Sequence, residues 1–534
     1  MAGGAEPVSA RAPAAGAWPG IGVTLLLAAL TLGTLAVVAL RAGVDTGLGA
    51  ADMAALRFTV SQALVSALLS VLLAVPLARA LARRRFAGRG LFILLTGAPF
   101  ILPVIVAVLG LLAVWGRAGL LASLAARLGL PAPDIYGFRG VVLAHVFFNL
   151  PLATRLFLQG WQRIPAEHFR LADSLGMDSR QINRRLERPM LRAVLPGAFA
   201  TVFLLCVTSF AVALTLGGGP RATTLELAIY QAFRFDFDLS RAALLAVMQF
   251  ALSALAAGFA WHLTRLPVAA RGLDRVLTRR DGRDALTRAQ DVLVLAAAGL
   301  FLLLPLVMVL GDGLAGLARL PAQVWPAALR SLAVALGAAV LATAAGLALA
   351  QAVLAFERTR AKGAAWVEAV AYLPLAASPM VIGTGLFILL FPLIAPGRVA
   401  LALVMLVNAM MALPFALRTL LPALRAAERD FGALAESLGM PARARFRLVT
   451  WPRIRPEAGF AAGLAAALSM GDLGVVALFT DPARATLPMV LWRLMGAYRM
   501  EAASGAALLL LALSLILFLA FGRLGGRGLR DAAS

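Results

Sequence analysis

Long apolar runs recur along this chain and constrain its fold more than any other feature. About twelve segments are long enough to cross the hydrocarbon core of a bilayer as helices, since about 20 apolar residues suffice. Strands of a membrane barrel would alternate apolar and polar residues over about ten positions, and these runs do not. The predicted fold class is therefore an all-α integral membrane protein. The predicted spans are 21–40, 57–78, 91–115, 138–160, 193–216, 241–263, 290–310, 329–355, 366–391, 398–421, 457–480 and 502–522.

Composition supports a membrane protein and argues against other classes. Hydrophobic residues make up 61% of the chain and charged residues 14%, whereas soluble chains carry about 25% charged residues. The net charge of +23 would by itself suit a nucleic-acid binder. Basic residues in the loops between spans account for this charge as well, so we expect no nucleic-acid partner.

The sequence has few residues from which a metal or nucleotide site is made. It contains one cysteine, Cys206, three histidines and one lysine, Lys362. A cysteine cluster is excluded, a multi-histidine metal site is not expected, and no Gly-Lys-Ser/Thr sequence exists to hold a nucleotide. We therefore expect no catalytic residue, metal or cofactor on this chain. If ATP drives the protein, a separate subunit must bind it.

The distribution of basic residues predicts the orientation in the membrane. About 33 Lys and Arg residues lie in loops on the side of the N-terminus, and about 12 lie on the opposite side. The positive-inside rule then places both termini and the long basic loops in the cytoplasm. The first apolar run is longer than the core of a signal peptide, which predicts a retained span.

The two halves of the chain resemble each other. Residues 171–177 read LADSLGM and residues 434–440 read LAESLGM, an offset of 263. The same offset pairs Pro151 with Pro414, Arg155 with Arg418, Glu167 with Asp430, Pro189 with Pro452 and His145 with Asn408. Each unit holds six predicted spans, an even number, so both enter the membrane in the same orientation. The predicted fold is thus two parallel six-helix repeats about a pseudo-twofold axis along the membrane normal.

This repeat divides the chain into five segments. They are a cytoplasmic tail (1–20), a first repeat (21–263) with a loop at about 161–192, a cytoplasmic linker (264–289), a second repeat (290–523) with a loop at about 422–456, and a second cytoplasmic tail (524–534). The linker is the long charged segment that has no counterpart in the other half, and nothing in it has a catalytic pattern.

The repeated heptapeptide lies in a cytoplasmic loop of each half. Apolar residues recur there at helical spacing, and Gly176 and Gly439 follow where a left-handed helix end is easiest without a side chain. Each loop is predicted to contain a short amphipathic helix, a sharp turn and a basic stretch. A helix resting on lipid headgroups would need only the apolar and basic pattern. Retention of particular side chains in both halves favours a helix that docks in a groove of another protein.

The loop resembles the EAA loop of the permeases of binding-protein-dependent ABC importers, whose pattern is Glu-Ala-Ala, three residues and Gly, with a distal Ile-x-Leu-Pro. The match is partial: the middle reads LADSLG at 171–176 and LAESLG at 434–439, and the distal end has Pro189 and Pro452. The resemblance implies a coupling helix seated in a cleft of an ATPase subunit. Two copies in one chain imply a fused permease pair with the type I importer fold, which meets two ATPase subunits.

On this resemblance, the residues expected to couple the permease to the ATPase form two matching sets. They are Glu167, Leu171, Ala172, Ser174, Leu175 and Gly176 in the first loop, and Asp430, Leu434, Ala435, Ser437, Leu438 and Gly439 in the second. The resemblance also implies a periplasmic substrate-binding protein, ATP and magnesium on the ATPase subunits, and a multi-pass location in the bacterial inner membrane.

Further segments resemble the permeases of thiamine transporters. They are 83–89 (RRRFAGR), 143–151 (LAHVFFNLP), 216–220 (LGGGP), 222–231 (ATTLELAIYQ), 471–479 (GDLGVVALF) and 486–488 (TLP). This resemblance implies transport of thiamine and its phosphate esters into the cytoplasm by alternating access. Fused ferric-iron permeases are built on the same plan and share parts of these segments, so ferric iron or another small solute is the alternative substrate.

Polar residues within the apolar runs are candidates for the substrate pathway, because polar groups at membrane depth are costly and usually face the interior of a bundle. His145 and Asn408 occupy equivalent positions of the two repeats, and Asn149 and Asp472 also lie in apolar runs. Asp472 is the stronger candidate because a cationic thiazolium and a ferric ion would both favour an acidic group. The alternative role is interhelical hydrogen bonding or, for Asp472, placement at a helix end.

An ion-coupled secondary transporter is the main alternative of another class, because twelve spans in two parallel halves also describe that architecture. Such a transporter would need coupling carboxylates within its spans, and Asp472 and Glu368 are the candidates. It would have no reason to repeat a docking loop. A membrane enzyme is less favoured, since no paired carboxylates or nucleophile–base set is evident in the sequence.

Overall fold

The computed structural model describes residues 17–42, 47–95, 101–219, 222–263, 284–359, 363–394, 396–479 and 484–526. These residues form α-helices joined by short loops, and no strand occurs among them. The prediction of an all-α membrane protein is confirmed.

The first half of the chain alternates long helices with short ones. Its helices are α1 (Trp18–Arg41), α2 (Ala50–Arg83), α3 (Arg89–Leu95), α4 (Val104–Trp115), α5 (Leu120–Arg127), α6 (Phe138–Arg163), α7 (Ala166–Ser174), α8 (Ser179–Ile182), α9 (Arg188–Val207), α10 (Phe210–Leu216), α11 (Leu225–Arg234) and α12 (Leu239–Leu263). A π-helical turn, Asn183–Glu187, joins α8 to α9.

The second half follows the same order. Its helices are α13 (Ala285–Gly316), α14 (Val324–Arg358), α15 (Gly363–Ala377), α16 (Pro379–Leu390), α17 (Pro396–Ser437), α18 (Ala442–Arg445), α19 (Trp451–Met470), α20 (Gly474–Phe479), α21 (Leu487–Gly496) and α22 (Met500–Leu524). A 3-10 turn, Leu317–Arg319, follows α13, and a π-helical turn, Phe446–Thr450, joins α18 to α19.

Helix boundaries recur between the two halves. The segment α8, π turn and α9 reappears 263 residues later as α18, π turn and α19, with the same lengths. Helix α4 reappears 275 residues later as α16. A π turn is uncommon and depends on local packing, so its presence at the same place in both halves indicates one shared backbone arrangement.

The number of spans is slightly lower than predicted. Ten helices of the described part are long and apolar enough to cross a bilayer, and the pair α15–α16 gives an eleventh if its two helices count as one span. The expected span 457–480 accounts for the difference. Helix α19 begins with the charged Arg453 and Arg455 and ends at Met470, and α20 adds only six residues.

Several predicted spans are broken helices. The expected span 366–391 bends by 88° between α15 and α16, at Ser378, which has a φ of +59°. The expected span 193–216 is interrupted after Val207, and the expected span 91–115 is divided into α3 and α4. A helix break at membrane depth leaves backbone N–H and C=O groups without hydrogen-bond partners in the helix. Such breaks are tolerated where the backbone is buried in protein or lines a cavity.

The first helix of each half packs on the other half. Helix α1 contacts α14, α15 and α16, while α13 contacts α2 and α4. These helices approach closely because glycines lie at the contacts. A Cβ added to Gly385 would lie 2.7 Å from the Thr34 carbonyl oxygen of α1. A Cβ added to Gly110 would lie 2.6 Å from the Pro305 carbonyl oxygen of α13. Small residues permit this approach between membrane helices. The two halves are therefore interlocked.

The predicted tails and linker fall largely outside the described residues, which omit 1–16, 264–283 and 527–534. Helix α13 begins four residues before the predicted end of the linker. It is capped by Asp284, whose carboxylate accepts a 2.9 Å hydrogen bond from the backbone N–H of Thr287 and another from its hydroxyl. These hydrogen bonds stabilise the charged form and lower the pKa of Asp284.

Candidate functional site

The first candidate docking segment is α7, which follows α6 after a break at Pro165. Phe169 and Ala172 are buried against the body of the protein. Leu171 and Leu175 point outwards and remain 58% and 67% exposed. Leu171 and Ala172 are thus on different faces, because adjacent residues of a helix are about 100° apart.

The turn after α7 has the predicted left-handed glycine. Gly176 has a φ of +65°, and the N–H of Met177 bonds to the Ala172 carbonyl at 2.9 Å, as in a Schellman helix end. Asp178 then caps the next helix by accepting a 2.7 Å hydrogen bond from the N–H of Gln181. Glu167 and Ser174 lie exposed on α7.

The second loop differs from the prediction of a separate short helix. Its docking segment is the continuous end of α17, a helix of 42 residues. Glu428 stands where the first half has Pro165, so the backbone N–H that a helix needs is retained. The expectation of a short helix here is therefore wrong, whereas in the first half it is confirmed.

The exposed surface of the second loop nevertheless matches the first. Leu434 and Leu438 are 56% and 67% exposed, and Ala435 is buried. Gly439 has a φ of +61°, and the N–H of Met440 bonds to the Ala435 carbonyl at 3.0 Å. Each loop therefore presents two leucines one helical turn apart, next to exposed polar residues. Asp430 and Ser437 are also exposed.

Each loop is anchored to the long helices by buried or partly buried ion pairs. In the first half, the carboxylate of Glu187 is shielded from solvent and lies 2.8 Å from Arg79 of α2. In the second half, Arg445 lies 2.5 Å from Glu428. Opposite charges at this depth hold the loops in fixed positions on the helices.

The proposed pathway residue His145 is buried with Asn149, one helical turn away on α6. The Ser66 hydroxyl of α2 lies 3.4 Å from His145 Nδ1. The Asn149 amide donates to the His145 carbonyl at 2.8 Å and to the thiol of Cys206 on α9 at 3.4 Å. These contacts join α2, α6 and α9, as expected of interhelical hydrogen bonding.

The equivalent polar cluster of the second half contains Asn408 and Asp472. The Asn408 amide donates to the Ser469 hydroxyl at 2.9 Å, and the Asp472 carboxyl is also its neighbour. Asp472 lies in the break between α19 and α20 and caps α20 through a 3.4 Å hydrogen bond from the N–H of Val475. The structure therefore pairs His145 with Asn149 and Asn408 with Asp472, and no hydrogen bond of these four residues joins the two pairs.

Sequence reasoning missed a buried carboxyl at the contact of the two halves. Glu226, at the start of α11, is 1% exposed. Its polar neighbours are Gln249 of the first half and Ser378 of the second, the residue at the sharp bend. A solitary acidic residue within an otherwise apolar segment was the available signal.

The described part of the chain contains no group of three or more His, Cys, Asp or Glu residues that could hold a metal ion. The polar sites above consist of single carboxyls, amides and hydroxyls inside a helical bundle. Such groups can form hydrogen bonds to a solute or carry a fixed charge.

Comparison with known proteins gives close relatives. No family model matches the chain. The thiamine transport system permease protein ThiP of Brucella abortus (strain 2308) is 44% identical over 510 residues, which is 92% of this chain and 93% of that protein. ThiP of Escherichia coli (strain K12) is 40% identical over 97% of this chain and 99% of its own length. ThiP of Haemophilus influenzae is 35% identical over 86% of each chain.

Proposed function

This chain belongs to the family of thiamine transport system permease proteins, and we propose that it carries thiamine and its phosphate esters into the cytoplasm by alternating access. In this proposal it is the membrane subunit of an ATP-driven importer and has no ATPase site of its own. Two copies of a cytoplasmic ABC ATPase, which hold ATP and magnesium, and a periplasmic substrate-binding protein are its partners.

The proposal that the two loops dock on an ATPase rests on one observation: the two loops expose matching leucines. Leu171 and Leu434 are exposed to almost the same extent, as are Leu175 and Leu438, although the surrounding helices differ. A helix resting on lipid would tolerate any apolar residues on this face. A matching pair of displays is what two identical grooves on two ATPase copies would require.

The loops are built to transmit movement. The first loop follows directly on α6 and is tied through Glu187 and Arg79 to α2. A shift of the loop, caused by nucleotide binding in the ATPase, would thus move both helices together. ATP drives transport in this scheme by stabilising one of two packings of the bundle, so the docked loop must bind the ATPase differently in each. Glu167, Ser174 and Gly176, with Asp430, Ser437 and Gly439, complete the two docking surfaces.

The pathway in this proposal runs through the helix breaks where the two halves meet. Asp472 and Asn408 lie at one break, and discontinuous helices at corresponding positions of two repeats are typical of solute sites in transporters. His145 and Asn149 form the corresponding polar cluster of the first half. The excess of basic residues in the loops on the side of the N-terminus supports this proposal with both termini in the cytoplasm and the protein in the inner membrane of a bacterial cell.

The experiment is uptake of labelled thiamine by liposomes that contain the chain with its ATPase and binding protein. We expect ATP-dependent accumulation of thiamine and none of ferric iron. Accumulation of iron alone would overturn the thiamine assignment. Accumulation driven by an ion gradient without ATP would support a secondary transporter, for which one candidate carboxylate, Glu368, is already paired with Arg425 at 2.9 Å.

Substitutions in the loops test the ATPase contact. The double variant Leu171→Asp, Leu434→Asp should lose co-purification with the ATPase, while the matched Leu171→Met, Leu434→Met variant should keep it. Both leucines are exposed, so neither change should alter folding, and the thermal unfolding midpoint serves as the check. Normal uptake by the aspartate variant would refute the assignment of these loops.

A further inference from the structure

A cavity of about 770 Å³ lies between the two halves at the end away from the loops. The first half contributes Arg117 and Tyr136, and the second half contributes Asp312, Trp492 and Tyr498. Helix α6 starts two residues after Tyr136 and leads to the first loop, so about 39 Å of helix separates the cavity from that loop.

Charges of both signs line this cavity. Asp312, near the end of α13, is exposed and makes no ion pair or hydrogen bond within the part of the chain that the structure describes. Arg117 lies 5.3 Å from the centre of the Tyr136 ring, and its other neighbour is the exposed Asp134, at 3.7 Å. One wall thus offers a free carboxylate and the other a guanidinium that rests on an aromatic face.

Three aromatic rings complete the lining, and one is held at a conformational cost. Tyr498 has a φ of +57°, which is unfavourable for an aromatic residue, and the residue is 91% exposed. Two backbone hydrogen bonds fix the turn: Tyr498 N–H to the Met495 carbonyl at 3.0 Å and Arg499 N–H to the Leu494 carbonyl at 2.9 Å. Strained backbone is concentrated at sites where a side chain must be presented in one position.

We propose that this cavity binds a planar cationic heteroaromatic ring that carries an anionic group, as in a thiamine phosphate, before the solute enters the membrane pathway. Trp492 and Tyr498 supply faces for the cationic ring, Asp312 supplies the opposite charge, and Arg117, which rests on the Tyr136 ring, supplies a two-pronged donor for phosphate. The volume lies within the range of about 300–1,000 Å³ that is usual for small-molecule sites. The proposal rests on the proposed function and adds a site to it.

The test is equilibrium binding of labelled thiamine and thiamine monophosphate to the full chain in nanodiscs. Asp312→Asn should weaken binding of both compounds about tenfold, since both contain the thiazolium. Arg117→Gln should weaken binding of thiamine monophosphate about tenfold and leave thiamine unchanged. Asp238→Asn is the control, because Asp238 is exposed, does not line the cavity and keeps a side-chain oxygen for the Arg241 N–H, and it should change neither affinity.

Two results would overturn the proposal. One is unchanged affinity for both compounds in Asp312→Asn and in Trp492→Ala, and the other is an equal loss of both compounds in Arg117→Gln. Measuring thiamine uptake by the unaltered complex distinguishes a wrong cavity assignment from a wrong proposed function. If thiamine is taken up and the cavity variants bind normally, only the cavity assignment is wrong; if no thiamine is taken up, the proposed function is wrong.

Discussion

The buried carboxylate of Glu187 bridges Arg79 and Trp161 across the first loop. One oxygen lies 2.8 Å from the Arg79 guanidinium, and the other accepts a 3.1 Å hydrogen bond from the Trp161 indole. Trp161 lies two residues before the end of α6 and Arg79 lies near the end of α2, so a single side chain holds two long helices close to the first loop.

Replacing this carboxylate should destabilise the protein. Glu187→Ala leaves both a guanidinium and an indole N–H without this partner, and the free energy of unfolding should fall by about 3 kcal/mol. Glu187→Gln retains an acceptor for the indole and should cost less. The measurement is the unfolding midpoint in detergent, and an unchanged midpoint for Glu187→Ala would contradict the bridging role.

The left-handed glycines of the loops should tolerate no side chain without cost. An added Cβ at Gly176 or Gly439 meets no atom within 4 Å, so the penalty of Gly176→Ala or Gly439→Ala comes from the backbone alone, about 1–2 kcal/mol each. Gly22→Ala is the control, since Gly22 is helical and also faces open space. Thermal unfolding should show a loss for the loop variants and none for the control.

Replacement of two neighbouring glycines of α1 by valine should affect stability at one position and not at the other. A Cβ at Gly20 would lie 2.2 Å from the Ala348 carbonyl oxygen, whereas one at Gly22 would meet nothing within 4 Å. Gly20→Val should therefore separate α1 from α14 and lower the unfolding midpoint, and Gly22→Val should leave it nearly unchanged. Equal behaviour of the two variants would argue against the packing of α1 on the second half.

The single cysteine provides a probe without any substitution. Cys206 is fully buried and its thiol accepts the Asn149 hydrogen bond. A water-soluble maleimide should not react with the folded protein and should react completely after denaturation in SDS, as measured by mass. Rapid labelling of the folded protein would instead mean that water reaches this position of α9.

The sequence predicted the helical class and most spans because apolar length is a direct consequence of bilayer thickness. It did not predict the breaks after Val207 and at Ser378, because the apolar run continues on both sides of each. The loops were located by their repeat, but the separation of Leu171 from Ala172 depends on which face the body of the protein covers. Glu226 was missed because α11 is too short to register as a span.

Because α1 packs on helices of the second half, the final packing of α1 cannot form until the second half has been synthesised. Helix α1 is synthesised first, yet its partners α14 to α16 follow about 350 residues later, which at about 5–20 residues per second is a delay of roughly 20–70 s. During that time α1 can pack on α12 of its own half, but it lacks its contacts to the second half. Two buried threonines of α1 form hydrogen bonds within their own helix: Thr24 donates to the Gly20 carbonyl at 2.7 Å, and Thr34 donates to the Thr31 carbonyl at 2.9 Å. The hydroxyls of Thr24 and Thr34 therefore need no partner outside α1 before the second half of the chain packs against it.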